Sequence, residues 1–242
     1  MKSILYSIIF TLVIVSGCSK DSAMNPSIGT GQGGSLARFA INGNYLYTVD
    51  KNSLRLFDIS TPSNPSFVSK SSSLINAETI FIRDDSTMFI GSQNGMYIYN
   101  ISNPATPNFI SLYTHIFSCD PVVADANYAF VTLRSDNACN MGLNQLDVVN
   151  VSNLYNPYNV KSYTMTKPKG LGLDANRLYI CDEGLKVLDR TDVSNILLLD
   201  TFSIPANDVI AYNDTLLVVA DDGFYQYVYA SGNLNLLSKI SK

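Results

Sequence analysis

Few residues of this chain are equipped for chemistry, and their spacing limits what they can do. The 242 residues include 4 cysteines and 1 histidine. Cys18, Cys119, Cys139 and Cys181 lack the short paired spacings of a zinc site, and only His115 could add a nitrogen. No serine or cysteine motif stands near His115, so a nucleophile, its base and an orienting third group are not found together. Carboxylates pair at Asp84-Asp85, Asp182-Glu183 and Asp221-Asp222. Such pairs can bind calcium or share acid–base work, but all three fall in turn-like stretches where aspartate caps backbone N–H groups, without EF-hand spacing around them. The glycines of Gly170-Leu171-Gly172-Leu173-Asp174 precede no helical period, so they are not a dinucleotide loop. No catalytic residue, metal ligand or cofactor is assigned from this inventory.

The elements that position these residues are strands. In Leu54 to Pro65 (LRLFDISTPSNP), Leu54, Leu56 and Ile59 bracket Arg55, Phe57 and Asp58 in the alternation of a strand with one face more buried than the other. Asp58 and Ser60 can fold side-chain oxygens onto backbone N–H groups, and Pro62 removes a ladder donor, so the strand must turn there. Weaker copies start at Ile98, Val148, Val187 and Tyr227. The column Asp58, Asn100, Asn150, Asp189 and Tyr229 recurs about every 40 to 50 residues, a spacing of repeat architectures.

Each repeat accommodates four short strands, as a propeller blade does. The fold expected is all-β, a propeller of five blades of four antiparallel strands, at about 35–73, 74–115, 116–166, 167–205 and 206–242. Gly95, Gly184 and Gly223 share one column, between second and third strands, which turn geometry explains better than ligand contact. The third repeat is irregular, inserting Arg134 to Asn144 where the others turn in a few residues. Long connections carry function more often than short ones, and a tolerated insertion is the alternative. No spare strand remains at either end, so the first and last blades are expected to close the ring by direct packing.

The N-terminus reads as a targeting segment. Lys2 supplies a positive charge, Ile4 to Val15 an apolar run short for a bilayer, and Ser16-Gly17 two small residues before Cys18. Val15-Ser16-Gly17-Cys18 resembles a bacterial lipobox, which implies a leader over 1–17 and lipidation of Cys18. Residues 18–34, rich in Ser and Gly, read as a flexible tether before a propeller at 35–242. Ser19 after the cysteine resembles outer-membrane or cell-surface lipoproteins. The formal charge of −4 becomes −5 without Lys2, and the basic residues are scattered, which argues against a nucleic-acid partner.

The strand ending in DIS or NIS before an Asn/Thr-Pro turn, the lipobox, and the segments LYTVD, AFVTLRS and LGLDANRLYICDEGLKVLD resemble the LVIVD-repeat group of bacterial lipoproteins. The resemblance spans nearly all the mature chain. It implies a β-propeller and brings no catalytic motif with it.

Two expectations follow from propeller geometry. The way into a first strand and the hairpin between second and third strands share one face of the ring, so Cys119 and Cys139 could meet in a disulfide; closing such a loop contributes roughly 3 kcal/mol. Cys181 is then a buried small hydrophobe. Where the first strands begin, Arg38, Glu78, Asp120, Lys169 and Asp208 would ring the channel mouth, either holding a small polar ligand, ion or peptide end, or forming internal ion pairs. The functional expectation is a lipid-anchored envelope module, held to the membrane by its N-terminal lipid, that binds or scaffolds protein or carbohydrate. The alternative is an extracytoplasmic hydrolase or lyase using the mouth charges.

Overall fold

The computed structural model describes residues 33–115, 121–135 and 143–242. Cys18, Cys119, Asp120, Cys139, the leader, most of the tether and the middle of the third-repeat insertion lie outside the described residues. The rest forms five antiparallel sheets of four strands, a five-bladed β-propeller. Blade one contains β1 (Phe39–Asn42), β2 (Tyr45–Asp50), β3 (Ser53–Asp58) and β4 (Ser66–Ser71). Blade two contains β5 (Ala77–Asp84), β6 (Thr87–Ser92), β7 (Gly95–Asn100) and β8 (Asn108–Thr114). Blade three contains β9 (Val122–Ala124), β10 (Tyr128–Leu133), β11 (Gln145–Asn150) and β12 (Tyr158–Thr164). Blade four contains β13 (Pro168–Leu173), β14 (Arg177–Asp182), β15 (Leu185–Asp189) and β16 (Leu197–Phe202). Blade five contains β17 (Ala206–Tyr212), β18 (Thr215–Ala220), β19 (Gly223–Ala230) and β20 (Asn233–Ser241).

The repeated side chains explain why each blade has the same shape. Asp58, Asn100, Asn150 and Asp189 each accept a hydrogen bond through Oδ1 from the backbone N–H two residues on, at 2.7–3.1 Å. This Asx turn ends the third strand. Every pairing of third and fourth strands also carries a bulge at the same level, which twists the outer strand. Gly95, Gly184 and Gly223 have φ of 152°, 137° and 154°, and a Cβ on any of them would overlap a carbonyl oxygen of the fourth strand, at Tyr113, Phe202 and Ile240. The glycine column is thus set by backbone approach within the blade.

Blades pack through successive apolar layers. Ala40, Tyr47 and Leu56 meet Ile80, Met88 and Tyr97 between blades one and two, and similar clusters fill the next three interfaces. The turn after the third strand also latches blades two, three and four each to the one before. Tyr47 Oη donates to Pro104 O at 2.7 Å, Ser111 Oγ to Leu154 O at 2.5 Å, and Tyr163 Oη to Val193 O at 2.9 Å. Pro104, Leu154 and Val193 occupy one column, four residues past the Asx cap. The recurrent turn is therefore an interblade contact as well as a chain reversal.

Between blades five and one the structure departs from the sequence expectation. No apolar cluster joins them among the described residues. Phe39 is 60% exposed, whereas Ile80, Val122, Leu171 and Val209, at the same level of the other first strands, are 0–1% exposed. The two end blades are linked instead by a polar contact. Ser35, 1% exposed, precedes β1 and donates from Oγ to Asp208 Oδ1 in β17 at 2.8 Å, while accepting from Leu171 N in β13 at 2.8 Å. An approach segment, rather than face-to-face packing, ties the start of the propeller to its end.

Candidate functional site

The first strands start on one face of the propeller, the mouth face, and their hairpins to the second strands lie on the opposite, far face. At the mouth, the structure gives Glu78, Lys169 and Asp208 separate partners. Arg38 is exposed. Glu78 accepts from Gln93 Nε2 at 2.8 Å. Lys169 donates from Nζ to Asn207 Oδ1 at 2.5 Å, and Asn207 Nδ2 donates to Asp221 Oδ1 at 2.6 Å. Asp208 is buried and accepts from Ser35 Oγ, Leu36 N and Val209 N at 2.8–3.1 Å. Burial pushes the Asp208 carboxyl above the ordinary carboxylate range, and the bonds from Ser35 and these amides oppose that shift. A Cβ on Gly34 or Gly170 would overlap this carboxylate, so glycine at both positions is what lets the chain enclose it. Lys169 and Asp208 come to neighbouring first strands, yet Asp208 serves the fold rather than an open site.

The other candidates resolve similarly. Cys181 is a free, buried thiol whose pKa is driven up by burial, as a packed small hydrophobe requires. Asp84 caps Ser86, and Asp222 accepts from Tyr225 Oη and Lys239 Nζ. Asp182 is 0% exposed; it accepts from Thr166 N and Lys167 N and pairs with Lys186 Nζ at 2.6 Å. Burial alone would raise its pKa, but Lys186 and those amides together hold it below the usual range. His115 follows β8 with its ring 6.1 Å from that of Tyr113. Among the described residues, no three His, Cys, Asp or Glu side chains are grouped to hold a metal ion.

Open space lies elsewhere. A channel cavity of about 290 Å³ reaches from Gly33 along Arg83, Ala124, Leu173 and Tyr212 toward the far face. A second cavity, of about 190 Å³, lies between blades four and five on that face, lined by Asp174, Arg177, Tyr212, Asp214 and Tyr229 among others. Arg177 lies over the Tyr229 ring at 5.1 Å and 3.6 Å from Asp174 Oδ2, which also accepts from Tyr179 Oη at 2.8 Å. No sequence motif marks this cleft. Its signals were breaks in the repeat, since Arg177 occupies a column that otherwise reads Tyr45, Thr87, Tyr128 and Thr215. Arg190 is a similar break, in the column of Ile59, Ile101 and Val151. It is buried over the Phe130 ring, and its guanidinium bonds to Asp125 Oδ2 at 2.5 Å and to the carbonyls of Asp174 and Ala175.

Residues 33–72 and 88–115, which span most of blade one and the last three strands of blade two, match the LVIVD repeat. Its first two blades thus carry LVIVD repeats. No curated protein matches its sequence. Among solved structures, this chain is similar to a functionally unknown protein from Desulfotomaculum acetoxidans, with a TM-score of 0.65 at 13% identity over 89% of this chain and 70% of that one. It is also similar to a periplasmic gluconolactonase from Pseudomonas aeruginosa, with a TM-score of 0.61 at 12% identity over 82% and 68% of the two chains. A putative 6-phosphogluconolactonase from Bacteroides fragilis gives a TM-score of 0.65 at 9% identity over 84% and 69%. At such identities the likeness establishes the propeller fold alone.

Proposed function

We propose that this chain is exported, anchored by lipid at Cys18, and acts at the cell envelope as a non-enzymatic module that binds or scaffolds protein or carbohydrate. The observation that carries the reading is the commitment of Glu78, Lys169 and Asp208 to internal bonds. Asp208, the carboxylate best placed to serve a hydrolase or lyase there, is enclosed by Ser35, Leu36 and two glycines. A general acid or base must reach a proton on the substrate, and this carboxylate is turned toward its own backbone. The propeller meanwhile keeps turns and hairpins exposed on both faces, which is the surface a binding module offers.

The export half of the reading is tested by metabolic labelling with an alkyne fatty acid. A labelled band is expected for the full chain and none for Cys18→Ala. The binding half is tested by cross-linking in intact cells followed by affinity capture. A defined envelope partner or glycan is expected; capture of nothing, together with turnover of a lactone or ester by the purified protein, overturns it.

A further inference from the structure

The repeat pattern breaks twice on the far face, and both breaks line the same cavity. At the end of the first strand, four blades place Asn42, Asp84, Asp125 and Asp174, and blade five places Tyr212. Three of those residues cap their hairpin: Asp84, Asp125 and Asp174 accept through Oδ1 from the backbone N–H two residues on at 2.8–3.1 Å. In blade five the hairpin instead turns through Asn213 and Asp214 at φ 45° and 60°, a left-handed pair that Asn and Asp tolerate without a cap. Tyr212 is thereby released from turn-making and is 51% exposed. The second break is Arg177, which opens the second strand of blade four, where the other blades have Tyr or Thr.

The fold brings these two departures together across the blade four and five cleft, with Asp174 and Asp214 beside them. Arg177 keeps a partly exposed side chain, 42% accessible, and is held in place by Tyr229 beneath it. The cleft therefore offers the N–H donors of Arg177, the Asp214 carboxylate as acceptor and an exposed aromatic ring, over a floor of Leu173, Ala211 and Leu216, while Asp174 is engaged by Asn176 N, Arg177 N and Tyr179 Oη and adds its charge. A few convergent polar groups over an apolar floor are the marks of a small-molecule site. Hydroxyl groups, each both donor and acceptor, suit paired Arg and Asp side chains, and a tyrosine ring suits the C–H face of a sugar. Two carboxylates against one guanidinium leave the site negative, which disfavours an anionic sugar.

We propose that the cleft bounded by Arg177 and Tyr212 binds a neutral saccharide, one ring seated in the cavity of about 190 Å³. The adjoining depression of about 620 Å³, which shares Asp174, Arg177, Asn213 and Asp214 and continues past Asp189 and Thr191, takes the following rings. The proposal rests on the binding-module reading and names its ligand class and its site.

The test titrates the full chain with glucose, galactose, mannose and N-acetylglucosamine, with their disaccharides, and with glucuronic acid, by saturation-transfer NMR and calorimetry. Binding of at least one neutral sugar is expected, disaccharides binding more tightly than their monosaccharides. Tyr212→Asp, which restores the residue type of the repeat, and Arg177→Thr should each weaken it at least ten-fold. Tyr212→Asp lies in an exposed hairpin and is expected to leave the melting temperature unchanged, so it decides the matter even where Arg177→Thr folds poorly. Equal affinity in Tyr212→Asp overturns the site, and preference for glucuronic acid overturns the neutral class. Binding of none of these sugars overturns the proposal, and a protein partner captured from cells would then leave the binding-module reading intact.

Discussion

Ser35 and Asp208, 173 positions apart in the chain, are joined by a buried hydrogen bond of 2.8 Å. The same hydroxyl accepts from Leu171 N, so one serine ties the approach to blade one to the first strands of blades four and five. Ser35→Ala leaves Leu171 N without that acceptor and Asp208 without one donor inside the protein. An unsatisfied buried group costs about 1–3 kcal/mol, and each kcal/mol lowers the melting temperature of a domain this size by about 2–4 °C. Thermal unfolding followed by circular dichroism should show that loss for Ser35→Ala. Gly170→Ala should lose at least as much, because its Cβ would overlap the Asp208 carboxylate. An unchanged melting temperature in both variants would show that the link contributes nothing.

The interblade latch can be tested at Tyr163. Its hydroxyl donates to Val193 O and accepts from Ile196 N, each at 2.9 Å. Tyr163→Phe keeps the ring and removes both bonds, so a cost of about 1–2 kcal/mol in urea unfolding is expected with an unchanged m-value.

The glycine column gives a comparison within one protein. Gly184→Ala meets Phe202 O from a φ of 137°, and Gly232, at φ 78°, has only the Asp200 carboxylate near it, at 3.8 Å. Gly184→Ala should cost more than Gly232→Ala in the same unfolding assay, because both pay the left-handed conformation but only the first forces the backbone apart. Equal losses would mean that dihedral strain alone decides the column.

Asp182 sets an acid dependence. Its carboxyl is held below its unfolded value of 3.8, so its contribution is present above that pH and lost as pH falls through the lower folded value. Asp125, bonded to Arg190, is lowered in the same way, with burial opposing the bonds from Tyr128 N, Asn127 N and Arg190. Melting temperatures measured from pH 6 downward should fall below about pH 4. Asp182→Asn should lower the plateau and flatten that fall, and an unaltered slope would count against the assignment.

Much of the fold was legible because its signals are local and repeated. Asp58, Asn100, Asn150 and Asp189 make a bond two residues away, so the sequence around each suffices to place the turn, and Gly95, Gly184 and Gly223 announce a hairpin by the conformation they permit. The site was less legible because it lives in exceptions. Asp208 looked like a mouth carboxylate in its column, but its partners Ser35 and Leu36 come from the other end of the chain. Arg177 and Tyr212 are 35 positions apart and unremarkable alone; only the packing of blade four on blade five gives them a common cavity.

By itself the sequence determined the repeat, the four-strand blade and the blade number, because alternation in every repeat, Asx caps in four and positive-φ glycines in three all act within a few residues. Tertiary structure decided how the ends meet, which charges are committed to the fold and where a cavity opens. Those outcomes depend on which faces of distant strands are brought within hydrogen-bond reach, as with Ser35 and Asp208, and on which repeat positions lose their structural duty, as with Tyr212.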